Sequence, residues 1–99
     1  VPAKAEGYGL RIDEGGILLA APDAPGLFYA TRTFTQILRL RKTSGMRLPC
    51  LEIRDWPALQ YRGVMLDIAR QVERPDYMQT LVRQLADYKN NMFVLYFED

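Results

Sequence analysis

Two short apolar runs, each closed by a charged residue, constrain this chain more than anything else in it: Arg62-Gly-Val-Met-Leu-Asp-Ile-Ala-Arg70 and Asn91-Met-Phe-Val-Leu-Tyr-Phe-Glu-Asp99. Between them Met78, Leu81, Val82 and Leu85 recur at helical spacing, behind an Arg74-Pro75 start and ahead of an Asn90-Asn91 stop. Strand, helix, strand in that order is a βαβ unit. Residues 92–97 are almost wholly apolar, as a parallel strand covered on both faces should be. In parallel sheets and β/α barrels the loops after the carboxyl ends of the strands carry the binding chemistry, because the backbone there is held while the loop sequence is free to vary. Arg70 and Asp99 close their runs at matching positions, so they are the candidate binding pair on one shared rim.

The first half of the chain is organised differently. Residues 7–13 alternate large apolar with small or polar side chains, Glu14-Gly15-Gly16 interrupts, and Ile17-Leu-Leu-Ala-Ala21 resumes an apolar run, which predicts a β-hairpin turned on glycines of positive φ. Asp23 then stands where a helix cap is needed, with Pro25 tolerated in the first turn. That helix is predicted to run to about Arg41, with Leu27, Ala30, Phe34, Ile37 and Leu38 stacked on one side and basic residues at its carboxyl end. A third strand is predicted over 47–55, where Leu51 and Ile53 are in step and Pro49 favours an edge or the strand start. Trp56-Pro57 breaks the pattern. The boundary between the two modules is placed there, giving a small α/β domain over residues 1–58 and the βαβ unit over 59–99.

Composition narrows the function classes. The 48% apolar and 25% charged fractions are those of an ordinary globular protein, and no stretch approaches the roughly 18–20 apolar residues of a membrane span. A formal charge of +1, with basic and acidic residues interspersed, offers no footprint for nucleic acid or an anionic membrane. The single cysteine, Cys50, cannot form an internal disulfide. The chain has no histidine, the commonest zinc ligand and usual neutral-pH base, so neither a metal nor another cofactor is expected. Neither a signal peptide nor a transmembrane segment is read in this stretch, which leaves the compartment open, a secreted or periplasmic parent included.

A two-stranded parallel unit cannot stand alone, so the chain reads either as the front portion of a larger α/β protein or as a small α+β domain with one mixed sheet. Its motifs resemble glycoside hydrolase family 20, the β-N-acetylhexosaminidases. Glu6-Gly-Tyr-Gly-Leu-Arg-Ile, Gly26-Leu-Phe-Tyr-Ala and Thr33-Phe-Thr-Gln-Ile-Leu are similar to the small α/β domain ahead of that family's catalytic barrel. Asp55-Trp-Pro with Tyr61-Arg-Gly-Val-Met-Leu-Asp-Ile-Ala-Arg70 resembles the approach to the first barrel strand, and Asp87-Tyr-Lys-Asn-Asn-Met-Phe the approach to the second.

The resemblance implies an α/β fold class: a small α+β domain followed by the start of a β/α TIM-type barrel, truncated in this chain. It implies a glycan partner containing N-acetylhexosamine, and it puts the residues that hold the outer hydroxyls of the terminal sugar at Arg70 and Asp99. A guanidinium fork and a carboxylate can grip vicinal hydroxyls, each charged hydrogen bond contributing about 1.5–3 kcal/mol. The family's hydrolysis resembles a retaining reaction in which the substrate's own acetamido oxygen attacks the anomeric carbon. Its Asp-Glu pair belongs to a later strand, so no catalytic residue is assigned here and Glu98-Asp99 is not taken for that pair. The isolated chain is expected to be inert. Where the family has histidines, this chain has Gln71, Val94 and Tyr96, departures that bear on which sugar is bound.

The competing reading is a non-catalytic carbohydrate-binding or structural α/β module. Asp67 reads as a buried structural carboxylate, Arg62 as a charge at a strand start, Trp56 as packing, Tyr88 as core and Cys50 as a small buried hydrophobe. Strand edges left unpaired by truncation favour self-association.

Overall fold

A computed structural model of the chain describes residues 3–45, 47–67 and 74–96. It divides into two compact units, Val1–Ala58 and Leu59–Asp99.

In the first unit, β1 (Tyr8–Asp13) and β2 (Gly16–Ala20) form the predicted hairpin, and β3 (Leu51–Asp55) pairs with the other edge of β1. The sheet order is β2-β1-β3, antiparallel throughout, with Leu10 opposite Leu19 on one side and Ile53 on the other. Of the two turn glycines only Gly16 takes a positive φ, 140°. Asp13 assists the turn by accepting a bond from the Gly15 amide at 2.8 Å.

Strand alternation sends Tyr8, Leu10 and Ile12 to one face, where they are buried with Tyr29 and Ala30 of the helix α1 (Ala24–Arg41). Leu19, Phe34, Ile37, Leu51 and Ile53 pack around this cluster. α1 begins as predicted. Asp23 lies in extended backbone, and one of its carboxylate oxygens accepts from the Gly26 amide at 2.8 Å while the other accepts from the Glu6 amide at 2.9 Å. Arg39 and Arg41 complement the dipole in the last turn, and a short 3-10 turn over Lys42–Ser44 ends at Gly45 in the left-handed region.

β3 is shorter than predicted, with residues 47–50 outside it. Pro49 has no amide hydrogen for a ladder. Cys50 is exposed, correcting the buried reading: strand parity turns Leu51 and Ile53 inward and so turns position 50 outward. Trp56 is half exposed.

Tyr8 adds a polar tie to this core. Its hydroxyl is hydrogen bonded to the Thr33 hydroxyl and donates to an Asp55 carboxylate oxygen at 3.1 Å, joining β1, α1 and β3. Burial pushes the phenol up to about 12; the Thr33 bond works against that rise, and the Asp55 carboxylate adds to it.

The second unit consists of β4 (Gly63–Asp67), α2 (Pro75–Asp87) and β5 (Met92–Tyr96), with β4 and β5 paired in parallel. This is the βαβ arrangement expected from the two apolar runs. Leu85 of α2 is buried, Met78 and Leu81 are half-buried, and Val82 of the predicted stripe is exposed.

Candidate functional site

The residues expected to form the site follow the carboxyl ends of β4 and β5 in the chain, and the register of those two strands is set from their opposite end. α2 closes with Tyr88, after which Lys89 takes a left-handed φ of 61° and the Asn90 amide returns to the Leu85 carbonyl at 2.8 Å. Tyr88, expected in the core, is 81% exposed, because the helix ends before the stripe reaches it.

Asn91 then clasps the start of β4. Its Oδ1 accepts from the Arg62 amide at 2.9 Å and its Nδ2 donates to the Gln60 carbonyl at 2.7 Å, while the Arg62 carbonyl accepts from the amides of Asn91 and Met92. The Arg62 guanidinium donates to the Lys89 carbonyl and the Leu59 carbonyl, both at 2.8 Å. Arg62 is therefore a strand-start anchor, and Asn91, assigned from sequence to the helix cap, carries the register instead. The signal for it was in the chain: of two consecutive asparagines, one suffices for the cap.

The clasp fixes a ladder that runs level from Gly63 opposite Met92 to Asp67 opposite Tyr96. Gly63 is required there, since a Cβ would lie 2.3 Å from the Met92 carbonyl oxygen. Phe93 lines a shallow groove with Met78, Gln79, Val82 and Arg83, so Phe93 and Leu95 face α2. Met65, Asp67, Val94 and Tyr96 occupy the other face. On it Met65 is 65% exposed and Val94 and Tyr96 are each 42% exposed, while Asp67 is half-buried at the carboxyl end beside Tyr96. The described end of this face thus presents a carboxylate and a phenol on adjacent strands, above an apolar floor.

Arg70, Asp99 and the departure at Gln71 lie outside the described residues. In the chain, Arg70 follows the last residue of β4 by three positions and Asp99 follows the last residue of β5 by three. Among the described residues no three His, Cys, Asp or Glu side chains converge to hold a metal ion, and no helix is long and apolar enough to cross a membrane.

Comparison with known proteins adds a family. The profile described as glycosyl hydrolase family 20, domain 2, matches residues 1–56. The chain is 35% identical over 99 residues to a beta-hexosaminidase of Porphyromonas gingivalis, covering 94% of this chain and 13% of that protein. Among solved structures, a beta-N-acetylhexosaminidase superposes with a TM-score of 0.87 at 29% identity, covering 97% of this chain and 21% of the other. A family 20 exo-beta-N-acetylglucosaminidase from Vibrio harveyi, in complex with N-acetylglucosamine, superposes with a TM-score of 0.78 at 29% identity, covering 93% and 15%.

Proposed function

The chain belongs to glycosyl hydrolase family 20, and we propose that it supplies the small α/β domain, residues 1–58, and the first strand-helix-strand of a β/α-barrel catalytic domain, residues 59–99, of a β-N-acetylhexosaminidase. In this reading the parent protein removes terminal N-acetylhexosamine by the substrate-assisted retaining route. Arg70 and Asp99 hold hydroxyls of the terminal sugar. The acid-base pair is supplied by barrel strands outside this chain, which is inert by itself.

The observation that carries the reading is the level parallel ladder of β4 and β5. Two strands that end together hand their following loops to one rim, and in the chain Arg70 and Asp99 each follow a strand end by three positions. Relatives of which this chain spans 13% and 21% support a longer parent. The N-acetylglucosamine complex of the Vibrio harveyi relative supports the sugar class.

Arginine and aspartate here select and position; they do not cleave. In the full-length protein, Arg70→Ala and Asp99→Ala should each lower kcat/KM for an aryl N-acetylglucosaminide by roughly 10- to 100-fold, the loss of a charged hydrogen bond. Turnover unchanged in both variants, with circular dichroism matching the parent, would refute the assignment.

A further inference from the structure

We infer that the uncovered face of the first unit's sheet carries a second saccharide site, a shallow one centred on Gly9 that takes one sugar ring of a neutral glycan. α1 packs on the Tyr8, Leu10, Ile12 face; the opposite face presents Gly9 and Arg11 of β1, Leu18 and Ala20 of β2, and Glu52 and Arg54 of β3. These six residues line one open depression of about 120 Å³.

Gly9 is the informative member. Glycine in a central strand weakens it, and its usual reasons are a bulge, a sharp bend or the close approach of something to the backbone. The ladder runs in unbroken register through Gly9 on both sides, opposite Ala20 and opposite Arg54, and Gly9 is not among the positive-φ residues. Neither a bulge nor a positive φ accounts for glycine here. Its absent side chain leaves a floor to the depression beside Arg11 and Arg54.

The walls define the ligand. Arg54 engages Glu52 through Nε at 3.1 Å, and Arg11 engages Asp13 through Nε at 3.4 Å. Both pairs are more than half exposed. Each guanidinium keeps its terminal nitrogens as donors, and Glu52 keeps its second oxygen as an acceptor. Donors and acceptors side by side with no net charge suit vicinal hydroxyls; an anion meets Glu52 and Asp13, and a cation meets the two arginines. Leu18, half exposed, offers an apolar wall to the C–H face of a ring. The assignment takes only the identity of the sugar from the proposed function.

The test is amide chemical-shift titration of the 99-residue chain with a β-1,4-linked N-acetylglucosamine tetramer. Saturable shifts at Gly9, Leu18, Ala20 and Arg54 with a millimolar Kd are expected. Gly9→Val, which suits a strand and fills the floor, should leave the fold and thermal midpoint intact or improved and weaken binding about tenfold or more; Arg54→Ala should do likewise. Shifts at these first-unit amides are read independently of turnover by the Arg70 and Asp99 variants, so the two proposals fail separately. No shifts at about 10 mM sugar, binding by Gly9→Val equal to the parent chain, or preferential binding of glucuronate over the neutral sugar would each overturn the proposal.

Discussion

Asp23 holds more of the first unit than its single charge suggests. One carboxylate oxygen caps α1 through the Gly26 amide, and the other secures the Glu6 amide, whose residue sits at a left-handed φ of 60°. Asp23→Ala leaves both amides without that partner, so it should cost about 1–2 kcal/mol in a urea titration, with Asp23→Asn recovering part of the loss. Tyr8 makes the complementary case for a buried hydroxyl. Its phenol is raised from 10.0 to about 12 in the folded chain, so the folded state holds that proton more tightly than the unfolded state. The resulting stabilisation is complete below pH 10 and is lost as pH rises through about 12. Ultraviolet titration should show a late phase of tyrosine ionisation near pH 12. Tyr8→Phe should remove that late phase and flatten the alkaline fall in stability, while lowering neutral-pH stability by about 1 kcal/mol through the bonds lost to Thr33 and Asp55.

At the scale of elements, the parallel pair depends on its amino-terminal clasp. Gly63→Val would drive a Cβ into the Met92 carbonyl and should abolish the β4/β5 ladder, while Asn91→Ala removes the side-chain bonds to Arg62 and Gln60 and should cost about 1–2 kcal/mol. Hydrogen exchange at the amides of β4 and β5 measures both, with the first unit's amides as the internal control. These elements also mark what can be read from sequence. The hairpin, α1 and the βαβ order were legible because their signals are local: an Asp cap, prolines in first turns, and apolar periodicity that switches between 2 and 3.6. Tyr88 was misplaced because periodicity carries no stop signal of its own; the helix ended at Asp87, and the left-handed Lys89 redirected the chain. Cys50 was misplaced because apolar neighbours outweighed strand parity. Asn91 was missed as a clasp because its partner, Arg62, is 29 residues away in the chain, and only the ladder brings the two together. Arg70 and Asp99 are matched positions in the sequence that lie outside the described residues, and the measurement that decides their role is the turnover of their variants.

For the whole molecule, the decisive quantity is the uncovered face of the second unit. Met65, Met92, Val94 and Tyr96 share it, each between 42% and 65% exposed, and a two-stranded parallel ladder has both edges open among the described residues. Neither feature suits an independent domain: isolated two-stranded sheets are marginal in water, and apolar faces beside open edges recruit other strands. In the proposed parent, further barrel strands would cover that face. In the 99-residue chain another copy is the available cover. Sedimentation velocity should therefore show concentration-dependent association, and Val94→Lys, which places a charge on the open face, should suppress it. The same preparation should release no product from an aryl N-acetylglucosaminide, since positioning groups without a proton donor lose about 10²–10⁴ in rate before the rest of the pocket is counted. A monodisperse monomer at high concentration, with the β4/β5 amides protected, would mean that the second unit satisfies its own faces and that the barrel reading of residues 59–99 is wrong.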